Sequence, residues 1–416
     1  MNSMQDGAFA RNWKEIAVGF LKLGVTSYGG PAMMGIMQAE LQEKRQWLSK
    51  ERFLEGLSLV NMVPGATAAQ LGIFLGHARG GWWGGLLAGL GFVLPGFCIM
   101  LALSLTYAHL GATPIMRSGL YGLGPVVLGI FMVAVYRLGR TAVTTLPQVM
   151  IALTAAAAAA FSPLGIGPIL ALAGGVGILL FHSRRVGALV LTLLTAFLGV
   201  MHMVPWSPWP LVTPLAQATG SVQPTGLTDL GLFFFKVGAF IFGGGLTMIA
   251  FMQEQVVNQF HWLTQQEFID GLALGQFTPG PLLMVAAYVG YKVAGLGGAA
   301  IAATAIFLPS FILMLSILPM FERVRTLVWT KAAMRGVGPA VIGVLAVSLL
   351  RIAPHALPDP FAIVILMGTL VALLAWRIGA FKLMLAGAGL GVLRSRLLSL
   401  PGVRATLRQI CSTAGV

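Results

Sequence analysis

Charge is what this chain has least of. Aspartate and glutamate together number 12 in 416 residues, and all charged residues make up 9%, where a soluble domain runs near about a quarter. A surface so poor in charge excludes an ordinary soluble protein. With 57% hydrophobic residues and a mean hydropathy of +0.88, the chain reads as a polytopic membrane protein. Cysteine is also scarce: Cys98 and Cys411 are too far apart in sequence and context to suggest a disulfide or a metal site. The six histidines are dispersed without the paired spacing of a metal centre. No GxxxxGK[ST] loop is present, which excludes an ATPase carried in this chain, and no G-x-S-x-G or H-E-x-x-H motif supports an intramembrane enzyme. No cofactor is called for. The net charge of +14 does not imply nucleic acid, because the basic residues stand in ones and twos between apolar segments, as the positive-inside rule requires. The amino terminus lacks a short apolar core ending in a small-residue cleavage site, so no cleaved signal peptide is expected.

Apolar segments of spanning length and 54 glycines, which let membrane helices approach closely, predict an all-α fold. Segments fall near 15–38, 53–76, 82–108, 114–136, 146–162, 166–182 and 186–205. After them come 229–251, 268–292, 296–320, 332–351, 361–376 and a short one near 380–400, about thirteen in all by the length criterion. Between the two groups lies a proline-rich stretch free of lysine and arginine, residues 202–228. The expected organisation is a first transmembrane repeat over 1–200, a linker over 201–228, a second repeat over 229–400 and a tail over 401–416.

The repeat is visible in the residues. Lys22 recurs as Lys236, an offset of 236 − 22 = 214; Trp47-Leu48-Ser49 recurs as Trp262-Leu263-Thr264 and Pro64-Gly65 as Pro279-Gly280 at 215; Gly122-Leu123-Gly124-Pro125 recurs as Gly336-Val337-Gly338-Pro339 at 214. Duplicated halves in so apolar a chain suggest a transporter. With the amino terminus in the cytoplasm, most lysines and arginines fall inside and the linker outside, so the second copy starts from the opposite face and the halves are inverted. The loop with Lys44, Arg45, Lys50 and Arg52 dissents, unless 53–77 is a hairpin that turns at Pro64-Gly65.

Candidate binding residues sit where the repeat is strict and membrane rules are broken. A lysine inside a span costs about 2.5–3.5 kcal/mol on insertion scales, so Lys22 and Lys236 point to a ligand or a cavity, with snorkelling to the headgroups as the bland alternative. Gly29-Gly30-Pro31 and Gly243-Gly244-Gly245 follow them, and Pro64-Gly65 and Pro279-Gly280 give a second matched pair of breaks. Broken helices at matching places expose amides that favour anions, although close helix packing also selects glycine. Pro31 against Gly245 is a departure between the copies. Glu55 and Asp270 are matched acids suited to proton coupling or gating, or equally to stabilising a helix amino end. Gln38 and Gln253, with Glu40 and Glu254, are gate residues or interface anchors. Asn61, Gln70, Gln276, Thr278 and Tyr288 flank the proline breaks as donors to an oxyanion or as interhelical glue.

These blocks, FLKLGVTSYGGP, WLSKERFLEGLSLVNMVPG, FIFGGGLTMIAFMQEQ and WLTQQEFIDGLALGQFTPGP, resemble the chromate ion transporter family in its long, two-domain form, over about residues 13–400. The resemblance implies export of chromate from the cytoplasm across the bacterial inner membrane, with chromate resistance and with sulfate as a competing analogue. It also implies two homologous halves of opposite orientation in the lipid bilayer. Its motif residues are Lys22, Gly29, Gly30, Pro31, Glu55, Pro64 and Gly65, then Lys236, Gly243, Gly244, Gly245, Asp270, Pro279 and Gly280. Transport of sulfate or another anion, and a membrane enzyme or scaffold binding lipid headgroups, stay open as rivals. Oligomeric state also stays open, a homo-oligomer included.

Overall fold

A computed structural model describes residues 2–27, 32–110, 113–162, 166–203, 226–241, 247–320, 328–376 and 378–399. Among them every regular element is a helix. In order they are α1 (Asn2–Thr26), α2 (Ala32–Met37, with a π-helical continuation Gln38–Lys44), α3 (Lys50–Met62), α4 (Thr67–Leu110), α5 (Pro114–Ala142), α6 (Leu146–Phe161), α7 (Ile166–Phe181) and α8 (Arg184–Met203). The second group is α9 (Leu227–Ala239), α10 (Thr247–Met252, continued as Gln253–Gln259), α11 (Gln265–Phe277), α12 (Val285–Ile317), α13 (Val328–Ala356), α14 (Pro360–Leu374) and α15 (Ala380–Ser399). Four stretches are long and apolar enough to cross a bilayer: Thr67–Leu110, Pro114–Ala142, Leu282–Ile317 and Lys331–Ala356.

The duplication is written into the backbone. α4 is interrupted at Gly80 (φ −143°, ψ 23°) and Gly81 (φ 62°, ψ −155°), and α12 breaks in the same way at Ala294 (φ −143°, ψ 29°) and Gly295 (φ 63°, ψ −149°). Gln46 and His261 are the two non-glycine residues with positive φ among those described, at 51° and 52°. The repeat also reaches further than sequence identity reveals. α6 and α7 begin at Leu146 and Ile166, α14 and α15 at Pro360 and Ala380, again 214 residues apart; α8 has no counterpart among the described residues.

Expected spans 15–38 and 53–76 each fold back on themselves. α1 runs alongside the second limb of α4 (82–110) in the same direction, with Ile16 against Gly80 and Gly84, and Gly24 against Phe92 and Pro95. The chain then returns, because Trp47 Nε1 donates to Glu15 Oε1 (2.8 Å) and Gly19 lies beside the Trp47 ring. α3 and the first limb of α4 (67–79) make a second hairpin, turning at Pro64-Gly65, with Gly56 against Phe74 and Arg79 back at Glu15 (2.9 Å). The second copy repeats this. Gly231 meets Ile301, Gly238 meets the Ile306 carbonyl, Phe233 packs on Trp262 (5.3 Å), and Gly271 faces Tyr288.

The second limbs of α4 and α12 are antiparallel neighbours, with Gly85 by Leu315 and Gly89 by Phe311. α5 and α13 are likewise antiparallel, with Gly124 by Ala356 and Gly139 by Ile342. The outer helices are exchanged between copies. α6 and α7 pack on α13, while α14 and α15 pack on α5. Glycine permits this closeness: Gly122 abuts the Gly387 carbonyl, and its equivalent Gly336 abuts that of Ala173. Matched hydrogen bonds tie the exchange, Arg137 Nη2 to the Leu373 carbonyl (3.0 Å) and Arg351 Nη2 to that of Ala159 (2.9 Å).

Candidate functional site

The hairpin tips of the two copies meet at the centre of the molecule. Gly65 N–H donates to the Ile241 carbonyl (2.7 Å) and Gly280 N–H to the Ser27 carbonyl (2.8 Å). Ser27 and Ile241 stand at the carboxyl ends of α1 and α9, where carbonyls lack intrahelical donors. Each copy therefore caps the other. This bond needs the backbone of Gly65 (φ 130°) and Gly280 (φ 92°), a region that only glycine enters freely.

With the carboxyl ends capped, the amino ends of α4 and α12 remain at the centre. A small cavity of about 20 Å³ there is lined by the equivalent triplets Ala66-Thr67-Ala68 and Pro281-Leu282-Leu283, with Met33 and Met34 closing one side. No charged side chain lines it among the described residues. First-turn amides of a helix have no intrahelical acceptor and carry the positive end of its dipole, so the environment is polarised for an anion without a fixed charge. Room for one or two waters is too little for a tetrahedral oxyanion, so this is a closed arrangement.

Buried polar groups surround the tips. Ser310 Oγ accepts from Ala66 N–H (2.7 Å), and Gln70 Nε2 donates to the Pro64 carbonyl (2.7 Å). Ser27 Oγ and Gln70 Oε1 are buried and lack a hydrogen-bond partner. Ser310 matches Gly96, whose missing side chain admits the Pro279 carbonyl. The two tips thus differ in their polar groups: Ser310 stands against Gly96, Gln70 against Val285 and Ser27 against Ile241.

Of the residues singled out in the sequence, Pro64, Gly65, Pro279 and Gly280 come together here. Gly29, Gly30, Pro31 and Gly243–Gly245 lie outside the described residues. Lys22 is exposed on the outer face of α1 with Leu21 and Val25, whereas Lys236 is half-buried on α9. Glu55 is paired with Arg52 (3.0 Å) near the surface. Asp270 is buried, and accepts from Tyr107 Oη (2.9 Å) and Gln266 Nε2 (3.1 Å). Beside it Tyr288 Oη donates to the Glu267 carbonyl (3.1 Å), and Lys292 Nζ pairs with Glu267 (2.7 Å). The matched acids diverge because Tyr107 reaches Asp270 from the end of α4. Phe321, at the matching spacing, has no hydroxyl to offer Glu55. Asn61 is exposed, and Thr278 returns its hydroxyl to the Leu274 carbonyl (2.9 Å). Ser27, Thr67, Tyr107 and Ser310 were not foreseen; only their 214- or 215-residue spacing from Ile241, Leu282, Phe321 and Gly96 could have flagged them.

Comparison with known proteins gives a single family. The family model described as Chromate transporter matches residues 14–181 and 228–392, leaving out α8 and the stretch after it. The chain is 32% identical over 391 residues to a chromate transport protein of Cupriavidus metallidurans, covering 91% of this chain and 92% of that one. It is 34% identical over 374 residues to a probable chromate transport protein of Synechococcus elongatus, covering 89% and 91%. An uncharacterized transporter of Methanocaldococcus jannaschii is 28% identical over 349 residues, covering 81% and 84%. No solved structure matches.

Proposed function

The chain belongs to the chromate transporter family, and from that premise we propose that this multi-pass inner-membrane protein exports chromate from the cytoplasm and so confers chromate resistance. The observation that carries the reading is the central cavity, where the amino ends of α4 and α12 meet between two reciprocal backbone bonds. Oxyanion oxygens are taken by first-turn amides of α4 and of the turn that leads into α12, just after the breaks at Pro64-Gly65 and Pro279-Gly280, and Gly29, Gly30, Gly243, Gly244 and Gly245 are further substrate-binding residues of this reading. Lys22 and Lys236 add positive potential from five residues before Ser27 and Ile241, about 7.5 Å of helix rise. Sulfate, of the same shape and charge, competes.

The two halves sit inverted in the membrane. α4's second limb, α5 to α8, α12's second limb and α13 to α15 cross it, and the folded-back segments enter from opposite faces. Antiparallel pairing of the equivalent helices supports this reading. So does charge: with hairpins in place of spans, Lys44, Arg45, Lys50 and Arg52 join Arg79, Arg137, Arg140, Arg184, Arg185, Lys331 and Lys382 on the cytoplasmic face. The opposite face keeps Arg117, Lys292, Arg351, Arg394 and Arg396.

Export needs no fuel domain. At an interior-negative potential of roughly 150 mV, moving a dianion outward gains about 7 kcal/mol. A proton gradient can contribute through Asp270, the buried acid, or Glu55. The test is uptake of labelled chromate into everted vesicles, with an imposed potential and separately with a pH gradient, for wild type, Lys22→Ala and Lys236→Ala. Potential-driven uptake lost in both variants supports paired-lysine export. Uptake that survives both moves the site to the backbone alone, and no chromate flux under either gradient overturns the reading.

A further inference from the structure

Gln70 is fully buried at the first tip, with only one end of its amide satisfied. Nε2 donates to the Pro64 carbonyl (2.7 Å); because a carbonyl can only accept, this bond fixes the orientation of the amide and leaves Oε1 as the atom without a partner. A buried acceptor left unsatisfied is uncommon, and calls for a partner that brings a hydrogen. Gln70 lies one turn along α4 from Ala66, whose carbonyl takes the Gln70 N–H (2.8 Å) and which lines the central cavity. Ser310 Oγ accepts from the Ala66 amide (2.7 Å) and keeps its own hydrogen to give. Ser310 Oγ and Gln70 Nε2 each stand 2.5 Å from where a Gly65 side chain would begin, so both border the space that this glycine leaves open. The second tip lacks all three groups: Val285 replaces Gln70, Gly96 replaces Ser310, and Pro281, the counterpart of Ala66, has no amide hydrogen.

An acceptor and a donor close together, beside first-turn amides, fit an oxyanion that carries one proton. A dianion has no hydrogen to offer Oε1. Hydrogen chromate gives up its proton close to neutrality, whereas hydrogen sulfate does so only in strong acid, so at neutral pH chromate supplies such a species and sulfate does not. We propose that Gln70 reads this proton. Once the closed cavity opens, hydrogen chromate gives its O–H to Gln70 Oε1, while its other oxygens accept from the Ser310 hydroxyl and the first-turn amides of α4. The proposal rests on the chromate reading above and names the species bound. Sulfate still meets the amides, and so competes without the Gln70 bond. Crossing with one negative charge in place of two, the oxyanion keeps half of the electrical drive given above for a dianion.

The experiment is calorimetric titration of the purified full chain with dilute chromate and, separately, with selenate, a dianion of similar size that takes up no proton near neutrality, from weakly alkaline to weakly acidic pH. In wild type the affinity for chromate should rise about tenfold relative to selenate as pH falls through the titration of hydrogen chromate, the low end for a hydrogen bond to a charged partner. The titratable groups on the elements around the first limb of α4 are Glu15 and Lys22 on α1, Arg52 and Glu55 on α3, Asp270 on α11 and Lys292 on α12, with His77 and Arg79 on α4 itself. They act on both anions, and the ratio cancels their common effect. Gln70→Leu, close in volume, should abolish the gain, with selenate bound no more weakly than before. Ser310→Ala should weaken both anions and keep the gain. Thermal melting shows that each variant is folded, and the wild-type ratio tests the proposal without them. Chromate and selenate that keep one ratio at every pH, or a gain that persists in folded Gln70→Leu, overturns the proposal and leaves the transport reading standing. Chromate bound at no pH overturns both.

Discussion

Gly65 and Gly280 occupy equivalent places, yet an added methyl group should separate them. Gly280→Ala would set its Cβ 3.9 Å from the Gly24 carbonyl and 4.0 Å from that of Phe92, ordinary contact distances. Its cost is the left-handed backbone alone, about 1–2 kcal/mol. Gly65→Ala also carries a positive φ, 130° against 92°, and places Cβ 2.5 Å from both Gln70 Nε2 and Ser310 Oγ. Both must withdraw, and with them go the partners of the Pro64 carbonyl and the Ala66 amide. Leaving each of two buried groups unsatisfied costs about 1–3 kcal/mol, for a total of about 3–8 kcal/mol. Thermal unfolding of the detergent-purified protein, followed by tryptophan fluorescence, should therefore show a far larger loss for Gly65→Ala. Adding Ser310→Gly copies the Gly96 arrangement and should recover part of it, a non-additivity expected of residues in contact. Equal losses at the two glycines, or strict additivity in the double variant, would refute the reasoning.

Other outcomes follow from the same geometry. Gln46→Cys and His261→Cys, both at exposed loop positions, in a chain with Cys98 and Cys411 changed to serine, should react with an impermeant thiol reagent from opposite faces of the membrane. Labelling from one face would end the inverted arrangement. Thr264→Ala removes the hydroxyl that caps Glu267 N–H (3.2 Å) at the start of α11, and should lower stability by about 1 kcal/mol in the same unfolding assay. Asp359 caps α14 through the Ala362 amide (3.0 Å) and accepts from Tyr121 Oη (2.6 Å) and Arg394 (2.6 Å). Partial burial pushes its carboxyl up, but these hydrogen bonds and the Arg394 charge outweigh it and hold the group below the usual carboxylate value. Its stabilisation is thus present at neutral pH and lost as pH falls through that lowered value. Asp359→Asn should reduce stability at pH 7, with the gap to wild type closing in strong acid.

Much of this was legible in the residues. The all-α membrane class follows from scarce charge, and the duplication from Lys22 and Lys236 and from the two Pro-Gly turns, because a turn needing positive φ tolerates little else. The folding-back was not legible from hydropathy, since an apolar run of helix–turn–helix has the same composition and length as one crossing helix. Its signs were Pro64-Gly65 and the basic loop of Lys44, Arg45, Lys50 and Arg52, which falls on the wrong face if 53–76 is a single crossing helix. The match of α6 and α7 with α14 and α15 was hidden because alanine- and leucine-rich packing helices preserve shape without preserving letters. Asp270 was visible as an acid matched to Glu55, but its burial depends on Tyr107, 163 residues away, a contact that no local pattern encodes.

The exchange of outer helices has a consequence for synthesis. α6 and α7 leave the ribosome well before α13, the helix they pack on: 328 − 181 = 147 residues separate the end of one group from the start of the other. At about 5–20 residues per second, that is roughly 7 to 30 s in which two apolar hairpin arms sit in lipid with their glycine-lined faces uncovered. A chain truncated after α8 leaves α5, α6 and α7 without the helices they pack on, and should be a substrate for quality-control proteolysis unless the second copy is supplied separately.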